Sequence, residues 1–444
     1  MDFTPHTEAD VARVLEHLGL DDVEDLFRHL PQEVRVQRSL DLPEPLAEAE
    51  LMELIERYAS ANRGGLVCFA GGGIYDHFLP TVVRSLTLRP EFVTSYTPYQ
   101  PEVSQGVLQA LFEYQSMVCA ITGMEVANAS LYDGATAAVE AVNLAVAQTG
   151  RRTVWVSRGL HPHSRQAIAT FAAARDVEVV EHPLVGGRTA WDEQAAAEPA
   201  ALMVGQPNYL GVVEDYRHPV EIAARLGALA VAAVDPMTLG LLRRPGAAGY
   251  DVAVAEGQPL GSPMSFGGPV VGLFATKLAH VRRLPGRLVG QTVDQDGRLA
   301  YVLTLQAREQ HIRRERASSN ICTNQTLNAV AAAIHLAWLG PRGLREVGEQ
   351  AAQKAHYLAD RLVELPEVRL ANDAPFVREF AVLLPMEPED VLAGMAEHGF
   401  LAGIPLSVDY ADLAGGLLVA VTERRTRAEL DSYVDALKQV LADG

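Results

Sequence analysis

Hydrophobic positions along the chain change their period several times, and each change marks an element. Between residues 5 and 60 they fall at helical spacing: after Thr7, the side chains of Val11, Val14, Leu15 and Leu18 share one face. A second short helix is expected from Val23 to Leu30, where Pro31 ends it. This segment is too small to hold a core, so its apolar face should lie on something larger. Residues 64–110 break the periodicity with glycine, proline and aromatics. Gly71, Gly72 and Gly73 predict a tight loop, and Pro98 and Pro101 bracket a stiff extended piece. Pro101 suits the first turn of a helix, where a missing N–H costs nothing. Val107, Leu111, Tyr114, Val118 and Ile121 then follow at 4-3-4-3 spacing until Gly123 stops the helix.

From about residue 126 short apolar runs alternate with helical stretches. Strands are expected to end in 127–130 and to span 153–157, 177–181, 201–204, 229–234 and 251–255, with 270–275 as a return strand. Helices are expected to begin near Ala135 and to cover roughly 163–175 and 218–226. The run 229–234 is apolar throughout, as in a strand buried on both faces of a parallel sheet. The alternation predicts a doubly wound α/β domain. Helices near 325–338, 343–364, 388–398 and 426–441, with strands at 379–384 and 417–421, predict a smaller α+β domain. The expected division is a helical segment at 1–60, a large α/β domain at 61–330 and a small C-terminal α+β domain at 331–444.

Composition narrows the partners. A formal charge of -19 repels a phosphate backbone, which argues against nucleic acid. Cys68, Cys119 and Cys322 are widely separated, form no metal-spaced cluster and fit a reducing cytoplasm rather than a disulfide framework. No metal site is expected. The N-terminus lacks a signal-peptide core, and no uninterrupted apolar run is long enough for a membrane span. Of 37 basic residues only Lys277, Lys354 and Lys438 are lysines, so chemistry that needs a primary amine has three candidates.

Three positions suggest a cup for pyridoxal phosphate. Asp133, Gly134, Ala135 and Thr136 lie between a strand and a helix, whose first N–H groups can receive an anion; an ordinary capped turn would look the same. Asp235 ends a buried strand, where open α/β sheets bind ligands and an aspartate can pair with a pyridinium nitrogen; it also suits a turn before Pro236. His161 follows strand 153–157 and either stacks on a cofactor ring or orders the Pro162 turn. The lysine that such a cup needs is missing: the stretch 251–262 contains none, and Lys277 comes only after the return strand. Lys354 and Lys438 fall on polar helix faces of the small domain. The cup thus reads as degenerate.

Longer stretches carry a resemblance. TSYTPYQPEVSQG (94–106) and ANASLYDGATAAVEA (127–141) resemble signatures of glycine decarboxylase P-proteins. FAGGGIYDHFLP (69–80), QPNYLGVVED (206–215), MSFGGPVVGLFATK (264–277) and ASSNICTNQTL (317–327) are similar to the α subunit of the two-subunit bacterial form. The resemblance covers essentially the whole chain. It implies a fold-type-I PLP-enzyme architecture. It also implies a β subunit that carries the catalytic lysine and holds the cofactor covalently, in an α2β2 heterotetramer. The implied reaction is decarboxylation of glycine, with transfer of the aminomethyl group to the lipoyl arm of H-protein. The isolated chain should then be inactive. Ser95, Tyr96, Thr97, Tyr99 and Gln100 are the expected contributions to an active site at the interface, or else anchors of that interface. Glu102, Ser104 and Gln105 are expected to support them or to cap the helix. Arg308, His311, Arg313, Arg314 and Arg316, with Arg282, Arg283 and Arg287, either dock an acidic carrier or form solvated faces. Cys322 is expected to be buried and inert. The competing readings are an independent PLP-dependent lyase or aminotransferase using Lys277, and a scaffold without catalytic part.

Overall fold

The computed structural model of the chain describes residues 5–36, 38, 40–193 and 198–443. Contacts divide the chain into two compact units, Met1–Gly64 and Gly65–Gly444. In the first, helix α1 (Glu8–Leu18) starts with a reciprocal cap between Thr7 and Asp10 and ends at Gly19 in the left-handed conformation. The helix expected over Val23–Leu30 is only a 3₁₀ turn, Val23–Phe27. The carboxylate of Asp25 accepts the N–H groups of Asp21 and Asp22, which closes a local turn instead of propagating a helix. Helix α2 (Glu48–Ser60) follows. No residue of α1 or α2 is buried, and Val14, Leu18, Met52 and Ile55 stand exposed.

The second unit is built on a seven-stranded sheet. Its strands are β1 (Val126–Ala127), β2 (Thr153–Ser157), β3 (Glu178–His182), β4 (Ala201–Gln206), β5 (Leu229–Val234), β6 (Val252–Glu256) and β7 (Gly272–Thr276), in the order β1-β7-β6-β5-β4-β2-β3. β3, β2, β4, β5 and β6 pair in parallel, and β7 runs antiparallel to both β6 and β1. Side chains alternate between two cores. Leu202, Val204, Ala230, Ala232, Ala253 and Ala255 face Leu108, Leu111, Tyr114 and Val118 of helix α3 (Gln105–Thr122). Val154, Val156, Met203, Val231 and Val254 face Ala137, Ala141, Leu144 and Ala145 of helix α4 (Gly134–Thr149). Burial on both faces explains why β4 and β5 read as unbroken apolar runs. Pro101 does not open α3: it starts a separate turn, Pro101–Val103, and the α-helix begins only at Gln105.

The C-terminal part packs against its own four-stranded antiparallel sheet: Arg369–Leu370, Glu379–Leu383, Gly416–Ala420 and Ile404–Pro405. Phe380, Val382, Leu417 and Val419 meet Leu358, Leu362, Tyr433 and Leu437 from flanking helices. Residues 67–69, expected within the span 61–330, join this core instead. Val67–Cys68 pairs in parallel with Phe400–Leu401, and Phe69 packs 4.5 Å from the Tyr433 ring. The helical stretch Thr326–Leu362 links the two cores and breaks at Gly340, which adopts φ 60 and ψ -180 before Pro341. Among the described residues no helix is long and apolar enough to cross a membrane.

Candidate functional site

The C-terminal ends of β4, β5 and β6 align in register, with Gln206 beside Val234 and Val234 beside Ala255. They form the floor of a cavity of about 510 Å³ that also takes in the glycine loop at 72–73, the start of α4 and Glu379 from the small sheet. Gly134, Ala135, His161 and Asp235 all line it. Thr136 does not; its N–H goes to the capping carboxylate of Asp133 at 2.6 Å.

Most of the groups that suggested a cofactor cup, Gly134, Thr136, His161 and Asp235, already have an internal partner. The Gly134 N–H, at the helix start where a phosphate would sit, donates to Glu256 Oε2 at 3.0 Å. The other oxygen of Glu256 accepts from Gln258 N–H at 2.8 Å. Asp133 and Glu256 therefore put two carboxyl groups where an anion would need donors. Burial raises Glu256 to about 7. A Cβ on Gly134 would come within 2.9 Å of the Glu256 nitrogen, so this approach of helix to strand requires glycine.

Asp235 is engaged on both oxygens. Oδ1 accepts from Met237 N–H at 3.1 Å, while Arg378 Nε and Nη2 both reach Oδ2 at 2.6 Å. The Arg378 guanidinium is 3% exposed and lies 3.5 Å from the Tyr75 ring centroid, and its remaining arm meets His77. His77 Nδ1 pairs with Glu423 Oε2 at 2.6 Å. A guanidinium can only donate, so His77 Nε2 accepts from Arg378 while Nδ1–H donates to Glu423; burial lowers the His77 pKa in the same sense. Burial alone would raise Glu423, but its bond from His77 and the Phe78 N–H at 2.6 Å hold it below the ordinary carboxylate range. Tyr75 in turn donates to Glu379 Oε2 at 2.8 Å, and the Gly72 N–H donates to Oε1 at 2.7 Å.

His161 does order the Pro162 turn: its Nδ1 caps the helix Pro162–Ala173 by accepting from His163 N–H at 3.1 Å. Its Nε2–H donates to Gly72 O at 2.6 Å, and burial lowers its pKa. Both nitrogens are thus committed, although the residue still borders the cavity.

No lysine lines this space. Lys277 follows β7 at the opposite end of the sheet, where it pairs with Asp251 at 2.6 Å and donates to Gly249 O at 3.0 Å. Asp251 precedes the first residue of β6 and Glu256 is the last, so a strand length of roughly 17 Å separates Lys277 from the cavity. Lys354 bonds the Glu423 carbonyl. Lys438 is exposed on the last helix. Pyridoxal phosphate therefore does not fit the groups present: the amine is absent, the helix N–H is held by a carboxylate and the aspartate is held by an arginine.

Ser95, Tyr96, Tyr99 and Gln100 lie on the surface, away from the cavity, with Tyr96 79% exposed; Thr97 is half-buried. Ser104 makes no side-chain cap, whereas Gln105 clamps a hairpin by bonding Tyr301 N and O at 2.9 and 2.8 Å. Arg287 is 3% exposed and cannot dock a carrier; Arg282, Arg283, Arg313, Arg314 and Arg316 are exposed. Cys322 is exposed rather than buried. Sequence reasoning missed Glu256, Arg378, Glu379, Tyr75, His77 and Glu423. A signal existed for the first three: charged residues bounding otherwise apolar strands, in AVAE (253–256) and in REFAVLL (378–384).

A mostly parallel sheet with one reversed strand, a small C-terminal sheet and a cavity at the strand ends define the class of fold-type-I pyridoxal-phosphate enzymes. Distant structures share it: a sphingosine-1-phosphate lyase from Burkholderia pseudomallei superposes with a TM-score of 0.64 at 15% identity over 93% of this chain and 94% of that one. Within the class, the chain belongs to the glycine cleavage system P-protein family, whose sequence model matches residues 1–437. It is 47% identical over 445 residues to a probable glycine dehydrogenase (decarboxylating) subunit 1 of Moorella thermoacetica, covering all of both chains. It is 48% identical over 443 residues to the same subunit of Chlorobium phaeobacteroides, covering 98% of this chain and 99% of that one. A crystal structure of glycine decarboxylase (P-protein) in inhibitor-bound form superposes with a TM-score of 0.91 at 48% identity, covering 99% of this chain and 100% of that one.

Proposed function

We propose that this chain is subunit 1 of a glycine-decarboxylating P-protein and acts only with a second subunit, whose lysine holds pyridoxal phosphate covalently. The observation that carries this is the state of its own cup: Glu256 and Arg378 hold its anion and aspartate sites, no lysine lines it, and Lys277 is ion-paired at the far end of the sheet. The cofactor, when bound by the partner, supplies an electron sink for the carbanion left by CO2 loss. This chain supplies a surface to that site. Ser95, Tyr96, Thr97, Tyr99 and Gln100 sit on a segment stiffened by Pro98 and Pro101, from which Tyr96, Tyr99 and Gln100 present aromatic, hydroxyl and amide groups outward. The exposed arginines 282, 283, 313, 314 and 316 suit an acidic, lipoylated H-protein that collects the aminomethyl group. The assembly is an α2β2 heterotetramer in the cytoplasm.

Co-expression with a subunit 2 chain, borohydride reduction and peptide mapping test this. The adduct should map to the partner, with none on Lys277, and glycine-dependent CO2 release should require both chains. An adduct on Lys277 with turnover by this chain alone would overturn the proposal. Unchanged turnover in Tyr96→Phe and Tyr99→Phe complexes would reduce this chain to a scaffold.

A further inference from the structure

We infer that Arg287 is a positioning residue that draws three separated stretches of the chain into the rim facing the partner's active site. Its functional consequence rests on the reading just proposed; its geometry does not. The Arg287 carbonyl accepts from the Ala129 N–H at 2.8 Å. Nη1 donates to Asn324 Oδ1 at 3.1 Å and Nη2 to the Tyr99 hydroxyl at 3.2 Å. The guanidinium carbon lies 5.2 Å from the Tyr99 ring centroid. Asn324 Nδ2 donates onward to Ser130 Oγ at 2.9 Å and to Ala129 O at 3.2 Å, and Gln325 N–H reaches the same Ser130 hydroxyl at 3.1 Å. The side chain thus ties residues 94–106 to 317–327, and Asn324 and the Arg287 carbonyl carry the link on to 127–141.

The choice of residue is informative. Arg287 is 3% exposed, its Nε has no partner, and among the described residues no carboxylate forms an ion pair with it. An apolar residue of similar volume would be easier to bury. What arginine adds is a planar fork that bonds two neighbours in fixed directions, which lysine cannot reproduce. The bond also sets how Tyr99 is used. Because the Tyr99 oxygen accepts from Arg287, its own O–H remains free to donate outward, and the residue is 45% exposed. Tyr99 is further flanked by His311, edge-on at 6.0 Å.

The test uses the complex with subunit 2. Arg287→Lys and Arg287→Gln should assemble, and kcat for glycine-dependent CO2 release should fall about tenfold or more, with KM changing less, since displacement of a positioned group by ~1 Å is enough for such losses. Arg287→Gln combined with Tyr99→Phe should lose much less than the product of the two single effects. Arg298→Gln, on an exposed hairpin tip, should match the parent. If Tyr99→Phe slows turnover while both Arg287 variants match the parent, or if the double variant is simply multiplicative, this inference fails and the proposed function stands. If Tyr96→Phe and Tyr99→Phe are both silent, the lining role itself fails. Should Arg287→Gln not assemble, Arg287→Lys decides: parental turnover overturns the inference, and slowed turnover in an intact complex supports it. Loss of assembly in both variants would mark a folding role and overturn it as well.

Discussion

At Asp235 the Nε hydrogen bond and the Nη2 ion contact from Arg378 fall on one carboxylate oxygen, at 2.6 Å each, and the guanidinium is closed in by Tyr75 and His77. An aspartate so held is not available to a pyridinium nitrogen, whatever its place at a strand end. The neighbouring carboxyl of Glu379 illustrates the electrostatic side of the same packing. Burial raises it to about 7 from an ordinary value of 4.5. The folded state therefore retains a proton that the unfolded chain has lost between those two values. Its contribution is fully present below about pH 4.5 and is lost as pH rises through about 7. In Glu379→Gln the amide can accept from the Gly72 N–H and donate to a rotated Tyr75 hydroxyl, so the fold is kept without the titration. Relative to the parent, the variant should gain stability by on the order of 2–3 kcal/mol between pH 5 and pH 8. Urea unfolding at the two pH values measures this; a difference that stays constant would refute it.

At the scale of elements, helix and strand types follow from local pattern almost throughout. The helix over His218–Leu226 has the bounds its sequence suggests, and β5 spans 229–234 as its apolar run requires. Departures occur where side chains compete with the backbone, as at Asp25, or where proline starts a turn that glutamine then takes over, as at Pro101 and Gln105. The two helices expected on either side of residue 340 are real. They abut without a loop because Gly340 takes a conformation open essentially to glycine alone. Nothing lies within 4 Å of a Cβ placed there, so Gly340→Ala tests backbone strain without steric overlap. It should cost about 1–3 kcal/mol, read as a lowered midpoint in chemical unfolding. An unchanged midpoint would mean the break can move along the helix.

For the whole molecule, the units differ in how they can be stable. Every residue of the four apolar cores lies between Phe69 and Val440, within the second unit. The first has no buried helical residue, and Val34, Val36, Leu40 and Leu42 are 66–72% exposed. Removal of residues 1–64 should therefore leave the remainder cooperatively folded, while its association with subunit 2 weakens, since exposed apolar surface of this kind is what an obligate partner covers. Circular dichroism melting and size-exclusion chromatography of the mixed chains separate the two effects. Loss of the cooperative melt would contradict the division.

The sequence alone was sufficient for the architecture, because the period of apolar residues reports directly which faces are buried. It was also sufficient to exclude a tethered aldehyde near β6, because a missing lysine is legible without coordinates. It located Asp133–Thr136, His161 and Asp235 at one sheet edge, because strand ends are local features. Only the tertiary structure decided what those groups bind. Glu256 meets Gly134 across 122 positions and Arg378 meets Asp235 across 143, and no periodicity encodes a pairing at that distance. The same holds for Arg287, whose two side-chain partners, Tyr99 and Asn324, reach it only when remote stretches pack together.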